Sequence, residues 1–420
     1  MNLIIYYIDS ARLNRPWNID KGDALSGTDQ TILSVALGCA ARGFPVVLMC
    51  TRLPSEVSVL PLQVKFAESL RDAINQARAL KAAYFVFPAT SEDEQLAILR
   101  DHQVGVPLIG WAHNSPSFAW LCAADANPNL KSIVAVSDGQ AASMAIYHAF
   151  RKVIAIPNIV DFVGREIAPV IAQQMHFKIT YVGALTPSKG FHWLAEVWPR
   201  IYANYPSAKL VVCGSSGLYG KSDAVPGLNG LANRDYEEQF LGFLGGSLQS
   251  ARDLNVVFQG SISKERLKAE ILESAFVVVN PNWRDSTETF CMSAVESLVL
   301  GRAVIGGRAG ALPETVGHDR GGLLSASVFE LEQNICRLIE NQELRARLAV
   351  AGQLWALHYY SRNAVIERWC VFFEEKNITK FYSDEKSAFP SLYAFRRFIG
   401  WILPSWCLGL LKRLKAKVRL

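Results

Sequence analysis

The stretch Glu288-Thr-Phe-Cys-Met-Ser-Ala-Val-Glu296 decides the reading of this chain. Two carboxylates stand eight positions apart, after the apolar run Val277-Val278-Val279 and before Gly301, Ala303-Val304-Ile305, Gly306-Gly307 and Pro313-Glu314. That order reads as buried strand, turn bearing an acid, short helix ending in a second acid, glycine stop, second buried strand, glycine-rich turn. A carboxylate on a loop at the carboxyl end of a strand, facing a helix start, lies where open α/β sheets bind ligands. The loop acid accepts hydrogen bonds from hydroxyls, and the N–H groups of the helix start receive an anion. A sugar joined to a diphosphate has both needs.

Outward from this stretch, short apolar runs alternate with longer mixed segments, the mark of βαβ units. In the first half the expected strands are 3–8, 46–49, 84–87, 108–111, 133–136 and 153–156, with helices at 28–42 and 67–80. The pattern restarts in the second half with strands 179–182, 210–213, 256–258, 276–279 and 303–305, and helices 192–205, 264–274 and 293–300. Two such series predict two doubly wound, Rossmann-like parallel sheets. The boundary is expected in 161–177, around Pro169. The segment 214–246 is rich in Gly, Ser and Asn and reads either as a functional lid or insertion or as a passive surface loop.

Several turns at predicted strand ends carry chemistry. Lys189 follows Val182-Gly183 and precedes Gly190 and a helix, which suits a flexible ammonium to a diphosphate. Gly27, in Leu25-Ser-Gly-Thr-Asp29, lets backbone N–H groups approach a phosphate closely. Other strand-end turns are Trp111-Ala-His113, Val134-Ala-Val136-Ser137, Ile156-Pro-Asn158 and Val212-Cys-Gly214.

Taken in order, these elements resemble retaining glycosyltransferases of the GT4 type (glycosyl transferase group 1), over roughly residues 1 to 375. Glu288 to Glu296 is similar to their E-x7-E element. The resemblance implies a GT-B fold: a 1–165 acceptor-side domain, a 178–358 nucleotide-sugar domain and an interdomain cleft. A 359–376 helix would cross back to the first domain, followed by a 377–420 tail. It implies transfer of a sugar from a nucleoside diphosphate sugar to a glycan or lipid-linked hydroxyl, as in cell-surface polysaccharide or glycolipid synthesis. No cofactor is expected, and no metal, since no Asp-x-Asp element stands at a matching strand end.

By the same resemblance, Gly183 and Lys189 hold the diphosphate, and Glu288 faces the sugar without acting as a covalent nucleophile. Thr289, Phe290, Cys291 and Met292 offer backbone N–H groups, and Glu296 takes the ribose. His113 contacts the sugar near the reacting carbon. Ser137 and Asn158 line the acceptor side or the hinge, and Glu314 marks another strand-end turn. The chain departs from the family at Ala184, where an Arg is usual, and at Cys291, where Gly is favoured. Arg284 and Arg308 are candidate replacements for the missing cation. The alternatives are an epimerase, a pyridoxal-dependent phosphorylase or a non-catalytic sugar-nucleotide sensor. The joint presence of His113, Lys189, Glu288 and Glu296 argues against the sensor.

Composition narrows the classes further. Half the residues are hydrophobic, enough for two cores. The eight cysteines are scattered without metal-ligand spacing, which suits buried thiols in a reducing, cytoplasmic compartment. The first residues lack a basic region and a cleavage site and read as a strand. The net charge of +5 is a tail property: residues 391–420 hold seven Lys or Arg and no acid, leaving −2 for the rest. Nucleic-acid binding is not expected from such a body. The apolar run 398–411 would reach about 21 Å as a helix, short of the ~30 Å hydrocarbon core. Its two tryptophans and basic flank suit an interfacial anchor on an anionic membrane at the inner face, the alternative being a docked terminal helix.

Overall fold

The structure, a computed structural model, describes residues 3–10, 17, 27–55, 61–160, 177–215, 225–284 and 288–375. The basic tail, most of the polar segment before Gly27 and the expected boundary residues 161–176 lie outside the described residues. The chain forms two compact units, one reaching to Ile159 and taking in the helix from Arg362, the other running Val160–Ser361.

The first unit holds a seven-stranded parallel sheet. Its strands are β1 (Ile4–Ile8), β2 (Val46–Cys50), β3 (Gln63–Phe66), β4 (Tyr84–Pro88), β5 (Leu108–Ala112), β6 (Leu130–Ala135) and β7 (Val153–Ala155). They run in the order β3-β2-β1-β4-β5-β6-β7. The second unit holds β8 (Lys178–Val182), β9 (Lys209–Cys213), β10 (Val256–Gly260), β11 (Phe276–Val278), β12 (Val304–Gly307) and β13 (Gly322–Ser325). Their order is β10-β9-β8-β11-β12-β13, again all parallel. The expected fold class, two doubly wound parallel sheets, is borne out.

The inner strands read as unbroken apolar runs because both faces are covered, and β1, β2 and β5 are buried at every position. In the second unit Phe191, Leu194, Trp198, Leu210, Phe240, Phe276 and Ile335 share one core. In the first, helix Arg362–Glu374 packs on helix Gly27–Ala41. A side chain at Gly38 would run into Ile366, with its Cβ 2.1 Å from Cδ1. Trp369 of the same helix lies against Tyr6 and Trp111, with ring centroids 6.3 and 4.5 Å apart.

Each sheet reverses its winding once, between β1 and β4 and between β8 and β11. Loops leaving the carboxyl ends of such a strand pair diverge and open a crevice for a ligand. The loop from β8 carries Gly183 to Lys189, and the loop from β11 carries Asn280 to Glu288.

One expectation needs correction. The segment 214–246 is not a single long loop, because helix Arg234–Phe243 forms within it, capped by Asn233. The Glu237 carboxylate gathers the preceding turn by accepting from the N–H groups of Asn229, Leu231 and Ala232.

Candidate functional site

The turn after β8 is built on close backbone approach. Gly214, at the end of β9, has φ +150°, and a Cβ there would lie 1.9 Å from the Gly183 carbonyl oxygen. The neighbouring strand ends therefore meet main chain to main chain. Beyond Gly183 the chain makes a short 3-10 turn, Pro187–Lys189, and passes Gly190 at φ +67° into helix Phe191–Asn204. A Cβ at Gly190 would fall 2.8 Å from the Asn282 nitrogen. Glycine is needed here both for the left-handed backbone and for room.

Lys189 Nζ lies 2.5 Å from Glu288 Oε2, so the two most distinctive site residues of the sequence meet across the divide between β8 and β11. Their side chains are 20% and 9% exposed. Asn280 Nδ2 donates to the same Oε2 at 2.7 Å. Asn282 ties the two loops together: its Nδ2 donates to the Ser188 carbonyl at 3.1 Å, and its Oδ1 accepts from the Arg284 N–H at 2.9 Å. Gly307 leaves space for this turn, since a Cβ there would lie 2.0 Å from the Asn282 carbonyl oxygen. Asn280 and Asn282 are site residues that the sequence reading passed over. Their signal was Asn-Pro-Asn directly after a buried strand, where asparagine tolerates the left-handed backbone seen at Asn280, φ +35°.

Helix Met292–Val299 starts beyond Glu288, and its Cys291 N-cap supplies no side-chain hydrogen bond. The N-terminal end of its dipole therefore meets no capping oxygen from Cys291. Thr289 and Met292 are half-buried. Phe290 packs edge-on against Tyr360, ring centroids 5.5 Å apart, which anchors the turn. Burial pushes the Cys291 thiol up to about 12, with the Glu288 charge adding to the shift, so it stays protonated. Ala184 is buried and offers no cation. Arg284 sits over the Trp193 ring at 4.8 Å, in the first turn of the helix that follows Lys189. Arg308 lies at the end of β12, its N–H bonded to the Ser325 carbonyl. Of the two candidate replacement cations, Arg284 is the one tied to the Lys189 turn. Glu314 lies in the turn Pro313–Gly317, where the Tyr360 hydroxyl donates to its carbonyl.

Glu296 lies one turn inside its helix and not at the end. Desolvation raises its carboxyl to about 7, opposed by Lys264. An acid held above its unfolded value binds more protons folded than unfolded, so its favourable contribution is complete below about 4.5 and is lost as pH rises through about 7. Glu296→Gln should therefore flatten the fall in stability across that window and make the variant the more stable form at pH 8. The expected gain is on the order of 1–3 kcal/mol, toward the lower end because the side chain is partly exposed. Urea titrations of both proteins at pH 5 and pH 8 measure it; parallel curves at both pH values would remove the assignment.

In the first unit, His113 follows β5 and stacks 4.7 Å from Trp111. Burial lowers its pKa to about 3, so the ring is neutral at physiological pH. Ser137 is buried and caps helix Asp138–Met144 by accepting from the Gln140 N–H. The Gln140 side chain in turn accepts from the Val136 N–H and donates to the Ala112 carbonyl. The Ser137 hydroxyl and the Gln140 amide thus satisfy N–H groups at the helix start and just before it. Asn158 is 8% exposed, and among the described residues its buried Oδ1 has no hydrogen-bond partner. Gly27 begins helix Gly27–Ala41, and a Cβ there would meet nothing within 4 Å among the described residues. The described fold itself does not demand glycine at that position.

With this geometry in place, comparison with known proteins is direct. Residues 176–341, the unit bearing Lys189, Glu288 and Glu296, match the model of the family described as Glycosyl transferases group 1. Over 145 residues the chain is 31% identical to the uncharacterized glycosyltransferase MJ1607 of Methanocaldococcus jannaschii, covering 34% of this chain and 30% of that protein. The match thus spans under a third of that curated relative. Among solved structures, Anabaena HepE in complex with UDP-glucose aligns with TM-score 0.60 at 16% identity, over 89% of this chain and 100% of that one. A glycosyltransferase of Rickettsia africae aligns with TM-score 0.65 at 11% identity, over 89% and 98%. Sucrose-phosphate synthase of Thermosynechococcus elongatus aligns with TM-score 0.61 at 15% identity, over the same shares. The fold is the GT-B fold of glycosyltransferases, and the resemblance to group 1 read from the sequence is borne out.

Among the described residues no helix is long and apolar enough to cross a membrane.

Proposed function

We propose that this protein is a retaining glycosyltransferase that moves a sugar from a nucleoside diphosphate to an acceptor hydroxyl. The observation that carries the reading is the Lys189–Glu288 pair at the divide between β8 and β11, beside the start of helix Met292–Val299. A cation, a carboxylate and a helix N-terminus there match the needs of a diphosphate joined to a polyhydroxyl ring. Lys189 and the helix N–H groups would stabilise charge on the departing diphosphate. Glu288 would accept from sugar hydroxyls and Glu296 from the ribose. His113, as a neutral imidazole, would bond to the sugar near the reacting carbon. In a retaining displacement of this kind the leaving phosphate takes the acceptor's proton. The family match covers Lys189, Glu288 and Glu296, though not His113, and structures of similar fold include one bound to UDP-glucose. The acceptor we favour is a glycan or lipid-linked hydroxyl, in line with the basic tryptophan-bearing tail.

Thermal-shift screening against a panel of nucleoside diphosphate sugars tests the reading. A bound ligand at 100 times its dissociation constant adds about 2.7 kcal/mol of stability. No shift with any member of the panel would count against it. NMR of the product should show the anomeric configuration of the starting sugar kept; inversion would refute retention.

We further propose that transfer needs no metal, because Lys189, Arg284 and the helix start supply the positive field a cation otherwise provides. Turnover should persist within about twofold after thorough chelation, since preorganised protein charges do the stabilising. Loss with EDTA and rescue by Mg²⁺ or Mn²⁺ would overturn this.

A further inference from the structure

Glu288 is held from one side only. Lys189 and Asn280 both donate to Oε2, at 2.5 and 2.7 Å, and among the described residues Oε1 receives no hydrogen bond. The two partners differ in kind. Lys189 sits on a long flexible stem, 20% exposed. Asn280 is 5% exposed and is tied down through its backbone carbonyl and its side-chain oxygen. Its carbonyl accepts from the Gly307 N–H at 3.0 Å, and its Oδ1 faces the Asn282 N–H at 3.4 Å, which turns the NH₂ group toward Glu288. One partner can leave and the other cannot.

We propose that Lys189 is shared between two anions, Glu288 when the site is empty and the diphosphate when it is filled, with Asn280 as the positioning residue that keeps the carboxylate held after Lys189 has gone. This rests on the reading of the site as a nucleotide-sugar site. A diphosphate must draw Lys189 away from an internal competitor, so the carboxylate weakens phosphate binding. Asn280 lowers that cost, because Glu288 is left with one good hydrogen bond and not as a bare, nearly buried charge. The carboxylate thereby stays oriented, with Oε1 open to a sugar hydroxyl.

Glu288 and Asn280 should then act on nucleotide affinity with opposite signs. The test is calorimetric titration of the full chain with UDP and with GDP. Glu288→Gln removes the competing charge and should bind the preferred nucleotide about threefold tighter, the worth of a partly exposed ion pair. Asn280→Gly tolerates the positive φ, removes the whole side chain, and should bind about threefold weaker, because the bond to Glu288 exists before and after Lys189 leaves and only its strengthening counts toward binding. In the double variant the Asn280 effect should vanish, because no carboxylate remains to be held. A purely structural role for either residue would weaken binding in both single variants. Unchanged or weaker binding by Glu288→Gln overturns the exchange, and unchanged or tighter binding by Asn280→Gly overturns the role of Asn280. If Asn280→Gly fails to fold, the Glu288→Gln arm decides alone. Wild-type protein that binds neither nucleotide at millimolar concentration overturns the underlying site reading instead, a separate result.

Discussion

Lys189→Ala should leave a folded protein with turnover reduced about 10²–10³-fold, the range for loss of one preorganised group that stabilises transition-state charge. The expectation comes from its place. Lys189 lies at the end of a 3-10 turn that Gly190 stops, and Asn282 holds the carbonyl of its neighbour Ser188, so its backbone is fixed. Only the side chain can move. Lys189→Arg should recover part of the rate, because the charge is kept while the wider guanidinium fork fits a point-charge site poorly. The cost to stability should be small: Glu288 keeps Asn280, and among the described residues its Oε1 carries no hydrogen bond that the substitution could break. Steady-state kinetics with the best nucleotide sugar, together with a melting curve, separate the two effects. A folded Lys189→Ala protein with near-normal turnover would show that the diphosphate lies elsewhere.

Gly214→Ala should be the most damaging single methyl in the second unit. The residue combines φ +150° with a Cβ position 1.9 Å from the Gly183 carbonyl oxygen. The obstructing atom is backbone at the end of a central strand, so relief requires β8 and β9 to part at their carboxyl ends. The expected loss is roughly 3 kcal/mol or more, the scale of overpacking added to an incompatible backbone. It should appear as a lower urea midpoint with an unchanged slope. Gly27→Ala is the control, since no described residue approaches that position and stability should change by only about 0.5 kcal/mol. Equal stability of Gly214→Ala and wild type would mean that the Gly183 turn is looser than described here.

The sequence disclosed the architecture because the inner strands are covered on both faces and therefore appear as unbroken apolar runs. The exceptions follow the same rule. Strand β3 was missed because it is an edge strand, half exposed, with Gln63 and Lys65 breaking the run. Strand β13 was missed because it is four residues long and opens on Gly322. Lys189 and Glu288 were each legible from the turn around them, but their contact spans 99 residues and has no local signature. Asn280 and Asn282 could be read as turn formers. Which way their amides point depends on a positive φ and on Gly190 and Gly307 leaving room, which only the folded chain reveals. Ser137 shows the reverse case. The spacing Ser137-Asp-Gly-Gln140, a serine helix cap three residues before a glutamine, is a local signature that the sequence carries on its own.

The central claim is that the loops leaving β8 and β11 hold a nucleotide sugar. A crystal structure of the protein soaked with the nucleoside diphosphate that raises its melting temperature most tests this directly. The account predicts phosphate oxygens within hydrogen-bond distance of Lys189 Nζ and the start of helix Met292–Val299. The ribose should lie at Glu296, and Glu288 should still be bonded to Asn280 but no longer to Lys189. A nucleotide bound away from these residues, or one bound here with the Lys189–Glu288 pair intact, would contradict it.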